Sequence, residues 1–334
     1  MSQTYRVLDT TEISAIAASR RFAQDVLLGL SERPRRLSSR YFYDDVGSRL
    51  FQRITDLEDY YPTRCEAEIL QARKNAILDA VGDTTFKLVD LGVGDGRKTD
   101  ILLSQAVERG CEVTFVPIDI SEAAMQGLVD KMGRRFPTLK VSGVVAEYFD
   151  GLHSLRDTHG ERTVVLFLGS NIGNFRTDRA RVFLRQMWDA LADGDLVLIG
   201  FDLKKDIDVL LRAYNDEQGI TRDFNLNLLA RLNRELGADF DLESWRHFGT
   251  YNVFTGAMES YLVSQRRQTV TVRDLRHFFD FDPYEPIHTE YSYKYLDSDI
   301  EALAAATGFQ VAARWYDRKR WFADMLWRVD KPDI

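Results

Sequence analysis

Five short apolar segments follow one another between residues 86 and 201, and enough chain for a helix separates each from the next. They occupy residues 86–91, 112–120, 140–145, 163–168 and 195–201. Apolar runs of this length are typical of buried strands. Strands that alternate with helices predict a doubly wound parallel sheet, which binds its ligand beyond the carboxyl ends of the strands. An α/β fold of this kind is therefore expected.

A glycine-rich turn follows the first segment, in the sequence FKLVDLGVGDGRKT. Gly92, Gly94 and Gly96 lack the side chains that would keep a ligand away from the backbone. A helix predicted to begin near Arg97 would direct its free N–H groups into the same space. A dinucleotide fingerprint, G-x-G-x-x-G, would require glycine at position 97. The turn therefore predicts a nucleoside site rather than an NAD site, although a glycine run of this kind is equally consistent with a tight turn alone.

Polar residues stand at the ends of the next two predicted strands. Asp119 ends the second, where an acid can accept both hydroxyl protons of a ribose. Glu147 and Tyr148 follow the third, where a carboxylate can meet the amino group of adenine and a ring can lie on the base. Each acid alone is also consistent with a helix cap or a solvated loop. Because they fall at strand ends in order, the pattern resembles a class I S-adenosylmethionine (SAM) methyltransferase with a Rossmann-like sheet.

The composition argues against several classes of function. The net charge of −8 disfavours a nucleic-acid-binding surface. No apolar run is long enough to cross a bilayer, and the first residues lack the pattern of a signal peptide. Cys65 and Cys111 have no paired spacing, and the five histidines show no metal-binding pattern. We expect a cytoplasmic monomer that acts on a small molecule, without a metal, a nucleic acid or a membrane.

The chain beyond the fifth segment predicts further elements. Helical patterns occupy residues 208–216 and 223–236, and strand-like patterns follow between residues 245 and 272. Residues 311–316 and 321–329 can supply a final antiparallel pair for the first sheet.

These patterns divide the chain into two interleaved domains. Residues 67–204 and 294–334 are expected to form the SAM-binding methyltransferase domain. Residues 14–66 and 205–293 are expected to form an α+β substrate-binding domain that covers the strand ends. Sites between two such domains are closed and selective, which is typical of an enzyme that acts on a small molecule.

Two sequences of the capping-box type predict helix starts. Residues 63–66 read TRCE and predict a helix that begins there. Residues 298–301 read SDIE and predict a helix over 302–307, which Gly308 ends.

An aromatic cluster precedes the first of these helices. Tyr41, Tyr43, Phe51 and Tyr60 lie within residues 40–62. A buried tyrosine hydroxyl needs a hydrogen-bond partner, so the cluster could bind a polar ligand. Core packing and a ligand site are equally consistent with these residues.

The segment IHTEYSYKY, residues 287–295, alternates as a strand does. The alternation predicts one polar face and one largely aromatic face. The predicted polar face holds His288, Glu290, Ser292 and Lys294, and the other holds Ile287, Tyr291, Tyr293 and Tyr295. A polar solvent face is one interpretation. The other is that Glu290 and Ser292 bind the two nitrogens of an imidazole.

With these motifs assembled, the chain resembles the histidine-specific Nα-methyltransferases of ergothioneine biosynthesis, which make hercynine, the trimethylated betaine of histidine. The resemblance extends from about Pro34 to the C-terminus. The motifs that carry it are FYDDVGSRLF, YYPTRCEAEIL, DLGVGDGRKT, PIDIS, LGSNIGNF, AYNDEQGITRDFNLNLL and IHTEYSYKY.

The resemblance implies a site for an amino acid. Tyr60 and Tyr214 are implied to hold its carboxylate, and Asn174, with Gly169 nearby, to position its α-amine. Tyr43 and Phe51 are implied to line the amine pocket. Tyr43 is also implied to act on the methylated amine, directly or through water.

The same resemblance implies that Glu290 and Ser292 recognise the imidazole. It also implies that five residues bind SAM: Gly92, Lys98, Asp119, Glu147 and Tyr148. The glycine-rich turn adds Gly94 to this set. The adenine-side pair Glu147–Tyr148 replaces the aspartate and phenylalanine of other members.

The expected function is SAM-dependent Nα-methylation of L-histidine, up to trimethylation to hercynine, as a step in ergothioneine biosynthesis. Ser260 stands where the best-known bacterial members have a methionine beside the imidazole, so another amino acid, such as tryptophan or tyrosine, is an alternative substrate. A SAM-binding protein without catalysis is a further alternative. GSNIGNF after the fourth strand, in place of a D/N-P-P-Y motif, argues against methylation of nucleic acids.

Overall fold

The computed structural model describes residues 3–8, 12–82, 84–120, 122–146, 148–154 and 161–331. The chain forms two compact units. The first comprises Met1–Thr10, Pro62–Leu203 and Tyr295–Ile334, and the second comprises Thr11–Tyr61 and Lys204–Lys294. Within the described ranges, no helix combines the length and apolar character that a membrane crossing requires.

One eight-stranded sheet forms the centre of the first unit. Numbered along the whole chain, its strands are β1 (Gln3–Val7), β3 (Thr85–Leu91), β4 (Glu112–Asp119), β5 (Lys140–Val145), β6 (Arg162–Phe167), β7 (Leu196–Asp202), β13 (Phe309–Tyr316) and β14 (Phe322–Val329). Six strands are parallel in the order β1-β5-β4-β3-β6-β7, and β14 and β13 continue the sheet antiparallel. The five predicted strands and the final antiparallel pair are therefore confirmed.

Burial on both faces explains why these segments form strands. Every residue of β7 is buried, and β3 is exposed only at its first residue. Val89 and Leu88, neighbours on β3, belong to separate hydrophobic clusters. Successive side chains of a strand point to opposite faces, so each face of the sheet has its own core. A parallel sheet covered on both sides reads as continuous apolar runs, as this sequence does.

The strand order reverses beside β3. The chain runs from β3 to β4 and β5 on one side, then returns to β6 and β7 on the other. Ligands of doubly wound sheets bind beyond the carboxyl ends of the strands at such a reversal. Because β3 and β6 are paired neighbours, the turn after β3 and the loop after β6 begin side by side.

Among the described residues of this unit, six α-helices accompany the sheet. They are α3 (Tyr61–Val81), α4 (Arg97–Glu108), α5 (Glu122–Arg135), α6 (Tyr148–His153), α7 (Thr177–Ala190) and α10 (Asp297–Thr307). The predicted helix start near Arg97 is confirmed, and so is the end of α10 before Gly308.

Both capping-box predictions are wrong about where the helix begins. Helix α3 begins at Tyr61, so residue 63 already lies inside it. Pro62 is its second residue, and proline is favourable in a first turn because no N–H partner is needed there. Helix α10 begins at Asp297, because Asp299 rather than Glu301 accepts the N–H of the capping residue, Leu296, at 2.9 Å.

In the part of the second unit that the structure describes, four α-helices combine with six strands. They are α1 (Glu12–Ser31), α2 (Asp45–Thr55), α8 (Ile207–Tyr214), α9 (Ile220–Leu236), β2 (Arg35–Arg36), β8 (Trp245–Asn252), β9 (Ala257–Ser264), β10 (Gln268–Val272), β11 (His277–Phe281) and β12 (Pro286–Tyr293). Strands β2-β12-β9-β8 form one sheet, and β10 and β11 form a separate hairpin. Helix α9 contributes Leu228 and Leu232 to a core shared with Leu262 of β9 and Ile287 of β12. The helices predicted at 208–216 and 223–236 are confirmed as α8 and α9.

Candidate active site

In the first unit, the turn after β3 brings the backbone close to a ring. Gly92 has φ of +75°, and its N–H donates to the carbonyl of Ile118 at 3.0 Å. A Cβ at this position would lie 2.7 Å from the hydroxyl oxygen of Tyr148, so any side chain would displace that ring. At Gly94, no described atom lies within 4 Å of where a Cβ would be. The turn therefore packs tightly at one glycine and leaves open space at the other.

Two further predicted residues complete a nucleoside-like environment. The ring of Tyr148 is held edge-on by Phe167 and Phe183, at centroid distances of 6.0 and 6.2 Å. Asp119 is the last residue of β4 and is half-buried. Glu147, predicted beside the adenine, lies outside the described residues. Open backbone at the glycine turn, a fixed ring and an acid at a strand end fit the nucleoside part of SAM.

Glu66, which the sequence analysis treated only as a helix cap, is fully buried. Its carboxylate accepts the N–H of Gly169 at 2.7 Å and forms an ion pair with Lys98. It passes directly over Gly200 of β7, where a Cβ would overlap the carboxylate. A single buried anion on α3 therefore joins the loop after β6 to helix α4.

A second buried acid lies beside this anion. Asp324 of β14 pairs with Gly200 in the sheet, and neither of its carboxylate oxygens has a partner among the described residues. Burial raises the pKa of Asp324 well above its usual value, the negative charge of Glu66 raises it further, and Lys98 opposes both. Burial and the charge of Glu66 therefore both favour the neutral form of this acid.

The loop after β6 is fixed just before and within the turn that carries Asn174. The hydroxyl of Ser170 accepts the N–H of Asp202 at 3.0 Å, and the hydroxyl of Tyr295 donates to the carbonyl of Ile172 at 3.3 Å. Asn174 ends the 3₁₀ turn Asn171–Asn174 and is half-buried. Its amide is therefore presented from a backbone with little freedom to move.

In the second unit, four predicted substrate residues form a chain of aromatic contacts. Ring centroids are 5.5 Å apart for Tyr43 and Phe51, 6.3 Å for Phe51 and Tyr60, and 6.4 Å for Tyr60 and Tyr214. Phe224 of α9, which the sequence analysis missed, packs against Tyr43 and Phe51 at 5.7 and 5.8 Å. All three successive contacts are edge-to-face, the geometry that the ring quadrupoles favour.

Tyr214 is held at both its backbone and its hydroxyl. Nε2 of His247 hydrogen-bonds its carbonyl at 3.0 Å, and the next residue, Asn215, bonds the backbone of β8 through both ends of its amide. The hydroxyl of Tyr214 donates to Ser292 at 2.6 Å. Nζ of Lys294 donates to both hydroxyl oxygens, at 2.9 Å to Tyr214 and 2.7 Å to Ser292.

A β-bulge changes which residues of β12 share a face. His288 pairs with Tyr261 of β9 and Glu290 pairs with Ser260, so Thr289 is an extra residue. Directly opposed residues of antiparallel strands point to the same side, and successive residues of β9 point to opposite sides. His288 and Glu290 therefore lie on opposite faces, and the prediction that they share one is wrong.

Beyond the bulge, the predicted grouping holds. Ser292 lies opposite Met258, two residues from Ser260, so Glu290, Ser292 and Ser260 share one face of the sheet. Ile287, which pairs with Leu262, belongs to this face too rather than to the opposite one as predicted.

The hydroxyl of Thr289 fixes the bulge. It lies 2.9 Å from the side-chain oxygen of Asn225 on α9 and 3.0 Å from the carbonyl of Ser260. Both Thr289 and Asn225 are buried. The register shift is therefore tied to the core of the unit.

Glu290 titrates in an unusual range. Burial raises its pKa to about 7, against the opposing effect of the positive charge of Lys294. The carboxylate can therefore change its charge near neutral pH.

The structure brings the predicted site residues together in two groups. The second unit holds the substrate set: Tyr43, Phe51, Tyr60, Tyr214, Ser260, Glu290 and Ser292. The first unit holds the rest of the described set: Gly92, Gly94, Lys98, Asp119, Tyr148, Gly169 and Asn174. In the described ranges, no three His, Cys, Asp or Glu side chains are grouped as a metal site requires. The sequence did not lead to a structural role for Glu66. The signal that could have indicated one is an acidic residue at a position of α3 where an apolar residue is expected.

Comparison with known proteins gives a consistent result. A family model described as "Histidine-specific methyltransferase, SAM-dependent" matches residues 22–329. A histidine N-alpha-methyltransferase of Mycobacterium tuberculosis is 38% identical over 294 residues, 88% of this chain and 90% of that protein. Its counterpart in Mycolicibacterium smegmatis is 37% identical over 305 residues, 91% and 94% of the two chains. Ergothioneine biosynthesis protein 1 of Schizosaccharomyces pombe is 32% identical over 287 residues, 84% of this chain and 37% of that protein.

The close approach of Glu66 to β7 gives a prediction about stability. Gly200→Ala should lower the free energy of unfolding by about 2–3 kcal/mol, because the new methyl displaces a buried, paired carboxylate. Urea denaturation followed by circular dichroism measures this. Gly127→Ala is the matched control, since position 127 is exposed within α5 and no described atom would contact its Cβ. It should be neutral or slightly stabilising; equal effects of the two substitutions would contradict the importance of the Glu66 contact.

Proposed function

The chain belongs to the SAM-dependent, histidine-specific methyltransferases, and on that premise we propose that it methylates the α-amine of L-histidine, up to hercynine, as a step in ergothioneine biosynthesis. The observation that carries the proposal is that Glu290 and Ser292 share one face of β12, where Ser292 accepts a hydrogen bond from the hydroxyl of Tyr214. We expect the enzyme to act on the free amino acid, as a monomer in the cytoplasm.

The first unit supplies the cofactor site. Gly92 and Gly94 would lie against SAM, Asp119 would accept the ribose hydroxyls, and Tyr148 would lie at the base. Lys98, anchored by Glu66, completes the proposed set. When bound, SAM would supply a methyl group on a sulfonium sulfur; as an amine takes this methyl, S-adenosylhomocysteine is the leaving group.

The amine must be uncharged to react, because an ammonium has no lone pair. The side-chain oxygen of Asn174 can accept an N–H of the neutral amine and so direct the lone pair. Holding the reacting groups in line then supplies most of the rate. Each of the first two methylations gives an ammonium that must lose a proton to water before the next transfer. The third, on the tertiary amine, leaves a fixed positive charge that the faces of Tyr43 and Phe51 can stabilise.

The side chain and the carboxylate of histidine are assigned to the second unit. Ionised Glu290 can accept one imidazole N–H, and the hydroxyl of Ser292 can bond the other ring nitrogen. Tyr60 and Tyr214 form the proposed carboxylate subsite; their rings are in edge-on contact.

One observation favours a second candidate substrate. Ser260, directly opposite Glu290, is small and buried, so position 260 places no bulky side chain beside the proposed imidazole subsite. A larger ring, such as the indole of tryptophan, is the alternative. Incubating the purified protein with SAM and each free amino acid, with mass spectrometry of the products, separates the two candidates.

Loss of the Asn174 amide should stop turnover. Asn174→Ala is expected to lower kcat by about a hundredfold or more, because the amine is no longer oriented, with binding of S-adenosylhomocysteine nearly unchanged. A radiolabelled methyl-transfer assay and calorimetry measure the two quantities. Asn171→Ala, in the same 3₁₀ turn, is the control and should stay active. A wild-type rate in Asn174→Ala would remove this residue from the mechanism.

Glu290→Gln should weaken histidine binding by about 1.5–3 kcal/mol, on the order of tenfold to a hundredfold, since the imidazole N–H loses a charged acceptor. Calorimetry in the presence of S-adenosylhomocysteine measures the change at pH 8. Glu259→Gln is the matched control, because Glu259 is buried in the same sheet on the opposite face. Unchanged affinity in Glu290→Gln would refute the imidazole assignment.

The raised pKa of Glu290 predicts a pH dependence of binding. As the pH falls through about 7, the carboxylate gains a proton and ceases to accept the imidazole N–H, so the Kd for histidine should rise. Protonation of the free imidazole, near pH 6.5, adds a second decline. In Glu290→Gln, only the decline in affinity caused by protonation of the imidazole should remain. Identical pH profiles for the two proteins would show that Glu290 does not titrate against the ligand.

A further inference from the structure

Asp44, the capping residue of α2, carries a carboxylate that the reaction, as described so far, does not use. Its Oδ1 accepts the N–H of Gly47 at 2.7 Å, the usual bond of a capping residue. The same oxygen accepts a second bond, at 2.8 Å, from the side-chain amide of Asn227 on α9. The other oxygen, Oδ2, forms an ion pair with Arg234 of the same helix. One carboxylate therefore caps α2 and also ties the start of that helix to α9.

The surroundings of Asp44 favour its charged form. Burial raises its pKa, but the hydrogen bonds from Gly47 and Asn227 and the positive charge of Arg234 outweigh burial, so the pKa lies below its usual value. The side chain of Asp44 is 11% exposed, and Asn227 is buried. Hydrogen bonds to an ionised acceptor are stronger than those between neutral groups, so the tie to α9 is a firm one.

Helix α9 also holds the residues that precede Asp44. Nη1 of Arg231 donates to the carbonyl of Tyr41 at 3.0 Å. The ring of Phe42 is fully buried and packs on that of Phe224, at a centroid distance of 4.6 Å. Positions 41, 42 and 44 are therefore each anchored to the same helix.

Tyr43 is the residue between these anchors. It lies after the 3₁₀ turn that ends at Phe42 and before α2, and it is 37% exposed. Its ring makes edge-to-face contacts with Phe51 and Phe224, at centroid distances of 5.5 and 5.7 Å. Because Phe42 and Asp44 are both bound to α9, the backbone of Tyr43 takes its place from that helix.

We propose that Asp44 is a positioning residue for the methyl transfer, which acts through Tyr43. By tying the start of α2 to α9, its carboxylate holds the ring of Tyr43 where the substrate amine is methylated, and it touches no ligand itself. A misplacement of about 1 Å can slow a transfer on the order of a hundredfold, so loss of the tie should lower kcat more than it weakens binding. This inference rests on the proposed function, which assigns Tyr43 to the amine.

A double-mutant cycle on kcat tests the proposal. Asp44→Ser keeps a side-chain oxygen for the N–H of Gly47, but it is too short to reach α9. We expect it to lower kcat for histidine methylation by about tenfold to a hundredfold, with binding of S-adenosylhomocysteine nearly unchanged. In a Tyr43→Leu background the ring is already absent, so the same substitution should lower kcat by less than about threefold.

Asp206→Ser is the matched control. Asp206 caps α8 by accepting the N–H of Asp208 at 2.8 Å, and no other described residue bonds its carboxylate. This variant should keep the wild-type kcat. Equal losses of kcat from Asp44→Ser with and without the Tyr43 ring would overturn the proposal, because a merely structural residue has that effect. An unchanged kcat in Asp44→Ser would overturn it too.

A milder variant keeps the cycle usable if Asp44→Ser does not fold, which thermal unfolding of each protein shows. The side-chain oxygen of Asp44→Asn can still accept from Gly47 and Asn227, but its amide cannot pair with Arg234. The loss of kcat should be smaller, about threefold to tenfold, and should again depend on the Tyr43 ring. A wild-type protein that methylates no histidine would contradict the proposed function, whereas an active wild type with equal losses contradicts only the role of Asp44.

Discussion

The buried carboxylate of Glu66 is the interaction on which the first unit's site depends. An anion without solvent is costly unless it is paired and hydrogen-bonded, and this one is satisfied by the Gly169 N–H and by Lys98. It fits only because β7 has no side chain at Gly200. Three elements distant in the chain, α3, α4 and the loop after β6, are thereby fixed to one point. The loop that carries Asn174 takes its position from that point.

The second unit achieves its site by different means. Its polar residues lie on a sheet, and the bulge at Thr289 decides which of them share a face. The aromatic residues come from α2, the segments around it and α8, and touch edge to edge. Lys294 and Glu290 then place opposite charges in this apolar setting. One unit therefore carries the groups suited to a nucleoside, and the other carries those suited to a heterocyclic amino acid.

The sequence predicted the elements well where local pattern decides them. Strands β3 to β7 were found within one residue at each end, because a doubly covered strand is apolar throughout. Prediction from the sequence failed where a contact between residues distant in the chain determines the structure. The start of α3 was misplaced, and Glu66 was taken for a cap, because its partners Lys98 and Gly169 are far along the chain. The prediction of which face holds His288 was wrong, because the extra residue of a bulge does not disturb the alternation of polar and apolar residues in the sequence. The roles of the substrate residues were assigned from family resemblance. Their contacts with one another could not be predicted in that way.

The bulge at Thr289 also has an evolutionary consequence. Its hydroxyl is bonded inside the core, so the register is maintained by residues that do not face a ligand. Positions 260, 290 and 292 can then exchange side chains while the strand pairing stays the same. A lineage could retune which amino acid is accepted by point substitution alone. Loss of the extra residue would leave Glu290 opposite Ser260 but remove the hydroxyl that bonds Asn225, so the recognition face would lose its tie to the core.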